Sequence, residues 1–181
     1  MAYTGILDFW FSESSQPFWF KKDDAFDTKI REHFLSHYQQ ARDGELDSWA
    51  GNPHSRLALI LLLDQCPRNL FRNSPEAFAT DHKAQILTLE GIGFGHDMEL
   101  SSNFERMFFY LPLEHAENRT LQQKSVEKIT ENINDPELIK YAQQHKEVID
   151  QFGRFPHRNN VLGRESSAEE IRYLAEGGHS F

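Results

Sequence analysis

Apolar residues recur every three or four positions along much of the chain, which is the spacing of one face of an α-helix. The clearest case begins near Asp23 and stops at Gly44. Its apolar face is formed by Phe26, Ile30, Phe34, Tyr38 and Ala41. No segment alternates well enough to predict paired β-strands, and ILDFWF at 6–11 is better explained as a short helix. The pattern therefore predicts an all-α protein.

Helix-start signals divide this pattern into elements. Asn52, Ser74 and Asp135 each precede a proline, the arrangement of a capping residue followed by the first helical position. Ser102 with Glu105, Thr120 with Gln123 and Ser166 with Glu169 have the spacing of capping boxes. The predicted helices are 3–12, 23–42, 53–66, 75–90, 102–111, 120–133, 136–152 and 167–176. Short connections favour antiparallel neighbours, so we expect about seven or eight helices forming a bundle or a superhelix of hairpins. The absence of a linker predicts a single domain, 1–181.

Residues 57–63 form the longest apolar run, LALILLL, which would cover the whole circumference of a helix. This run predicts a central helix with neighbours on every side. Asp64 follows on a face that is already buried, and Arg68 lies one turn later, in the order that suits an ion pair. Pro67 cannot donate to the Leu63 carbonyl, so we expect the helix to kink or stop at Cys66.

Composition narrows the classes of function. The formal net charge of −9 argues against binding to nucleic acid or to anionic membranes. The single cysteine excludes a disulfide framework, and there is neither a basic leader nor an apolar run of membrane-spanning length. A soluble, cytoplasmic protein is expected. Residues 151–164 nevertheless carry three arginines and a histidine without a carboxylate, which leaves room for a local positive site.

Two proline-bent segments share the same chemistry. CPRN at 66–69 and FPHRN at 155–159 each bring arginine and asparagine into irregular backbone after an apolar helix. Arginine offers a planar fork for carboxylate or phosphate, and an asparagine amide can orient the ligand beside it. The candidate ligand-binding residues are Asp64, Gln65, Arg68, Asn69, Arg158, Asn159 and Arg164. The alternative is a structural cluster in which these groups satisfy one another.

A third polar segment, LPLEHAEN at 111–118, places His115 between carboxylates. The candidate residues for proton transfer are His115, His157 and Glu117. Two alternatives remain at this stage: a helix-capping cluster, and a metal site formed with Glu114. The spacing matches no standard zinc motif, so no metal is assigned and no cofactor is identified.

The chain resembles the mainly bacterial family catalogued as domain of unknown function 924. The motifs that carry this resemblance are ILDFWF (6–11), FWFKKDDAFDTKIREHF (18–34), GELDSWA (44–50), LALILLLDQCPRNLFRNSPEAFATDHKA (57–84), LPLEHAENRTLQ (111–122) and FGRFPHRNNVLGRESSAEEIRYL (152–174). The resemblance implies a tetratricopeptide-like superhelix and no particular activity. The family's polar motifs fall on Asp64, Gln65, Arg68, Asn69, Asp81, His115, Glu117, Arg154, His157, Arg158, Asn159 and Arg164. The chain departs from the pattern at Cys66, where the family usually has Phe, and at Ala116, where it usually has Ser.

These observations favour a site for a small anionic molecule, with acid–base turnover as an open possibility. The alternative is a tetratricopeptide-like interaction module that binds an extended peptide or its carboxylate. The sequence decides neither whether the protein is an enzyme nor its oligomeric state.

Overall fold

The computed structural model describes residues 2–181, and every regular element among them is helical. The α-helices are α1 (Tyr3–Trp10), α2 (Asp24–Arg42), α3 (Pro53–Ile60), α4 (Cys66–Leu70), α5 (Asp81–Phe94), α6 (Asn103–Glu114), α7 (Arg119–Asn132), α8 (Pro136–Phe152) and α9 (Ala168–Ala175). Short 3-10 turns lie at Gln16–Phe18, Asp47–Gly51, Pro75–Phe78, His96–Glu99 and Pro156–Arg158. The predicted all-α class is confirmed. Within 2–181, no helix combines the length and the apolar character needed to cross a membrane.

The apolar run 57–63 lies at the centre of the fold. Each of its seven side chains is fully buried. Helix α3 packs against α1, α5 and α6, while α4 packs against α2. Helices α6, α7 and α8 then pack successively on one another. A helix that is apolar on all sides requires such neighbours, so the central position follows from the sequence.

Pro67 does not end the central helix. A π-helical turn at Leu61–Gln65 joins α3 to α4, and the amide of Cys66 donates to the Leu61 carbonyl, five residues back. The wider turn accommodates the proline ring within a continuous helical path. The hydroxyl of Thr80 donates to the Leu63 carbonyl at 2.6 Å, which is the carbonyl that Pro67 leaves without its helical donor. The helix is therefore irregular at the predicted place but does not stop at Cys66, and Thr80 satisfies the carbonyl that Pro67 leaves free.

Three of the six predicted caps are confirmed and three are not, and Asp23, where apolar periodicity predicts a helix start, is a cap as well. Asp23, Asn52 and Asp135 cap α2, α3 and α8 with their side chains, and Ser102 with Glu105 forms a capping box at α6. Helix α7 is instead capped by Asn118, and the box at α9 uses Ser167 with Glu170. Ser74 makes no side-chain cap to the backbone, and a 3-10 turn at Pro75–Phe78 stands where a long helix was predicted. Local spacing alone does not distinguish adjacent candidate caps.

Two further boundaries differ from the prediction. Helix α5 continues past 90 to Phe94, where Gly95 ends it with a φ of +77°. Helix α6 continues through Pro112 to Glu114. Tertiary packing favours both extensions, since Gly91 lies against Phe109 and residues 107–114 are buried.

Gly91 and Gly93 offer a matched test of this packing. A methyl group at Gly91 would lie 2.4 Å from Phe109 Cζ and 2.7 Å from Arg56 Cδ, both on buried side chains. We expect Gly91→Ala to destabilise the protein by about 1–3 kcal/mol through overpacking. At Gly93, apart from its chain neighbours and the backbone of α5, no atom of the described residues lies within 4 Å of the added carbon. Gly93→Ala should therefore stabilise α5 by up to about 1 kcal/mol. Urea unfolding followed by circular dichroism measures both, and equal effects would contradict this account.

Candidate functional site

A cavity of about 750 Å³ lies where the ends of the central helix and α6 meet α8. The segments around Trp19–Lys22 and His157–Arg158 complete its wall. Six of the predicted site residues line it: Gln65, Arg68, Asn69, His115, His157 and Arg158. The structure thus brings the two proline-bent segments and His115 to one place. A cavity of this size is in the usual range for small-molecule sites.

Asp64 lies behind the polar wall and is fully buried. His115 Nδ1 lies 2.9 Å from Asp64 Oδ1, and Gln65 Nε2 donates to Oδ2. Burial would raise the pKa of this carboxyl, but Arg68 and His115 hold it well below its ordinary value. Asp64 is therefore a carboxylate, and it fixes the orientation of the His115 ring.

Arg68 connects the central helix to the start of α5. It donates to Asp81 Oδ1 at 2.9 Å and to Asp81 Oδ2 at 3.0 Å, a bidentate pair. It also donates to the Asp64 carbonyl, and its guanidinium lies 3.3 Å from Asp64 Oδ1. The predicted pair between Asp64 and Arg68 is present, but the better geometry belongs to Asp81.

Arg158 is a buried cation with few partners. Its guanidinium lies between the rings of Phe78 and Phe155, at 4.7 and 4.4 Å from the ring centroids. One nitrogen donates to the His115 carbonyl at 3.1 Å, and the nearest Asp81 oxygen is 3.6 Å away. Nε is buried and has no hydrogen-bond partner among residues 2–181. Burial, followed by the charge of Arg68, lowers the pKa of Arg158 to about 10, so it remains charged at neutral pH.

A second carboxyl–imidazole pair lies beside the first. His145 Nδ1 is 3.2 Å from Glu114 Oε1 and 2.9 Å from the Tyr141 carbonyl. Burial, with the nearby charge of Asp64, raises the pKa of Glu114 to about 8. Burial lowers the pKa of His145 to about 3. At neutral pH this pair is therefore mainly uncharged, in contrast to the ionised Asp64.

His157 is placed on the cavity wall with an unused polar atom. Its Nδ1 is buried and lacks a hydrogen-bond partner within the described chain. Burial and the charge of Arg158 lower the pKa of His157 to about 4. The pKa of His115 is also lowered, mainly by burial. The imidazoles that face the cavity are therefore neutral at physiological pH.

The remaining predicted residues lie in clusters that do not line the cavity. Glu117 forms a bidentate pair with Arg164, at 2.6 and 2.9 Å, and accepts from the Phe155 amide at 2.8 Å. Asn159 accepts from Arg164 and donates to Ser166. These three residues hold the 155–166 segment in place beside the cavity. The structural-cluster alternative thus describes their contacts well.

Asn69 has a partner of its own, although it lines the cavity. Its amide donates to Asp27 Oδ1 at 2.8 Å, and Arg72 pairs with the same carboxylate.

Among residues 2–181 no three His, Cys, Asp or Glu side chains are grouped to hold a metal ion. Of the residues in the metal alternative, Glu117 is paired with Arg164 and His115 Nδ1 contacts Asp64, while Glu114, His115 and His157 line the cavity.

Sequence reasoning gave too little weight to Glu114, His145 and Asp81. His145 lies on the apolar face of α8, with Ala142 and Ile149, and a histidine in such a stripe is a usable signal. Glu114 was expected beyond the end of α6, whereas the helix carries it into the buried region. Asp81 was marked only by the family pattern, because no local spacing relates it to Arg68.

The raised pKa of Glu114 predicts a specific pH dependence of stability. The folded protein keeps this proton above pH 4.5, where the unfolded chain loses it. The stabilisation is complete below the unfolded value and is lost as the pH rises through about 8. Relative to the unchanged protein, Glu114→Gln should gain about 1.4 kcal/mol per pH unit between about pH 5 and 7.5. Urea unfolding across this range, with the exposed Glu131→Gln as control, measures the difference. A flat difference would mean that native Glu114 is already ionised.

Comparisons with known proteins agree with the fold and supply no activity. Residues 6–178 match the family described as bacterial protein of unknown function, DUF924. A solved structure of a protein of unknown function from Agrobacterium tumefaciens, ATU0120, shares 40% sequence identity. The match covers 97% of each chain with a TM-score of 0.91. No curated protein matches the chain. On these grounds, the chain belongs to the DUF924 family of bacterial proteins of unknown function.

Proposed function

We propose that this protein binds a small anionic molecule in the cavity lined by Arg68, His115, His157 and Arg158. The observation that carries the proposal is that Arg158 is charged and buried, with few hydrogen-bond partners. It is a buried guanidinium on the cavity wall, and only one of its three nitrogens makes a hydrogen bond within the described structure. Nε is buried without a partner, and no carboxylate oxygen lies within hydrogen-bond distance of the guanidinium. Burying a charge without a good partner is costly, and an anion in the cavity would supply that partner.

The charge distribution around the cavity supports an anionic ligand. The carboxylate of Asp81 forms its bidentate pair with Arg68, so its attraction for Arg158 is shared. Lys21 and Lys22 also line the cavity, and no acidic partner within 4 Å of either is found between residues 2 and 181. In a protein with a net charge of −9, this surface is locally positive.

His115 is the residue that we assign to proton transfer, if the bound molecule is turned over. With Asp64 ionised, Nδ1 of the neutral ring donates to it, and Nε2 is the unprotonated nitrogen. A carboxylate that orients an imidazole in this way is a common arrangement for a general base. His157 lines the same cavity and is a second candidate, whereas Glu117 would act only by positioning, through the Phe155 amide.

The alternative of a peptide-binding module has less support from the contacts. It requires a long groove along successive helices, as in a tetratricopeptide-like superhelix. The polar side chains instead surround one cavity at the ends of several elements. This arrangement favours a ligand of small-molecule size over an extended peptide.

The proposal predicts that Arg158→Gln loses anion binding. Inorganic phosphate at millimolar concentration should shift the side-chain nitrogen signals of His115 and His157 in NMR spectra of the unchanged protein. Losing the charged hydrogen bonds of Arg158 should weaken phosphate binding by at least about tenfold. Arg42→Gln is the matched control, because Arg42 is exposed and pairs only with its neighbour Asp43 among the described residues.

A second variant separates binding from folding. Arg158→Lys keeps the charge but lacks the planar fork, so it should bind phosphate more weakly while remaining folded. If phosphate causes no shifts in the unchanged protein, or causes the same shifts in Arg158→Gln, the proposal is wrong. If both Arg158 variants unfold, Arg158 has a structural role and the proposal also fails.

A further inference from the structure

One corner of the cavity already holds an aromatic ring. Phe181 and Ser180 line the cavity, and the Phe181 ring stacks on His145 with 3.4 Å between centroids and 21° between planes. Phe155 and His157 face the same ring from the side, at 6.0 and 6.3 Å. His179, in the same segment after α9, also stacks with the Phe181 ring, at 5.5 Å between centroids. The three rings outside that segment, those of His145, Phe155 and His157, thus bound a position of the size and shape of a six-membered ring.

The Phe181 ring occupies this position without being enclosed. Phe181 is 41% exposed, and the segment after α9 that carries it has no regular secondary structure. His145, by contrast, is 6% exposed, and its Nδ1 donates to the Tyr141 carbonyl at 2.9 Å. The His145 and Phe155 side chains that bound the ring position are therefore buried, whereas the Phe181 ring that fills it is at the surface.

This ring position adjoins the proposed anion site. Phe155, which borders the Phe181 ring, carries the guanidinium of Arg158 over its own face at 4.4 Å. His157 borders the Phe181 ring and precedes Arg158 in the chain. A planar ligand stacked on His145 would therefore have its substituent close to Arg158.

The rest of the lining suits an apolar ligand body. Met107, Leu111, Ile129 and Leu138 line the cavity on the side of α6, α7 and α8. Small-molecule sites commonly combine such an apolar lining with a few polar groups that fix orientation. An apolar wall alone would accept an alkyl chain or a ring, and the stacking on His145 favours the ring.

We infer that the ligand is an aromatic acid, an aryl phosphate or aryl carboxylate, whose ring replaces that of Phe181 on His145 while its anionic group binds Arg158. This inference rests on the proposed anion site. It adds a ring subsite, and it makes Phe181 a competitor that the ligand must displace.

Phenyl phosphate, butyl phosphate and inorganic phosphate test the inference, with dissociation constants measured by NMR titration. Phenyl phosphate should bind at least about fivefold more tightly than inorganic phosphate and more tightly than butyl phosphate. Phe181→Ala should strengthen phenyl phosphate binding several-fold, because the competing ring is removed, and should leave inorganic phosphate binding unchanged. Phe94→Ala, which removes an exposed phenylalanine outside the cavity, is the matched control.

The outcomes separate this inference from the proposed function. If inorganic phosphate binds through Arg158 but phenyl phosphate binds no more tightly, the ring subsite is wrong and the anion site stands. Equal affinity for butyl and phenyl phosphate would mean that the site accepts any apolar group and does not prefer an aromatic ring, which would overturn the inference. An unchanged affinity of Phe181→Ala for phenyl phosphate would place its ring elsewhere, with the same consequence. If no phosphate binds at all, the anion site itself is wrong.

Discussion

The site depends on the hydrogen bonds and ion pairs made by the buried carboxylate of Asp64. It follows directly after the apolar run of the central helix and is fully buried, so that bulk solvent does not reach it. Its charge is retained because His115, Gln65 and Arg68 surround it with donors. These donors come from two different parts of the chain, so the end of α6 is held against the end of the central helix. The most buried polar group of the site therefore also determines its geometry.

The backbone around Pro67 imposes a second constraint on the same region. The proline and the π-helical turn free the Leu63 carbonyl, and Thr80 donates to it from the start of α5. Asp81, the next residue, is thereby positioned to receive the bidentate fork of Arg68. The π-helical turn at Leu61–Gln65 thus fixes the position of the start of α5 and the orientation of the Arg68 side chain. The same hydrogen bonds therefore stabilise the packing of the helices and position the polar groups of the site.

The sequence predicts those features that local spacing determines. The central helix could be inferred from apolar periodicity, and half of the predicted caps from local capping signals. The convergence of Arg68, His115 and Arg158 could be inferred from the two similar proline-bent segments and the third polar segment at 111–118. The pairing of Arg68 with Asp81, 13 residues away, and that of His145 with Glu114 could not, because they depend on how helices pack. Glu117, Asn159 and Arg164 were predicted at the site but form a neighbouring cluster, and this too depends on packing. The local sequence does not distinguish an arginine that lines a cavity from one that forms an ion pair.

The protonated state of Glu114 has a consequence for any anion that enters the cavity. With a pKa of about 8, Glu114 is mainly protonated at neutral pH and loses its proton in mildly alkaline solution, which would place a negative charge on the cavity wall. A bound anion disfavours that loss, and by thermodynamic reciprocity the proton favours the anion. Under the proposed function, occupancy of the cavity and protonation of Glu114 would be linked, so that the affinity for an anion would decline as the pH rises through about 8.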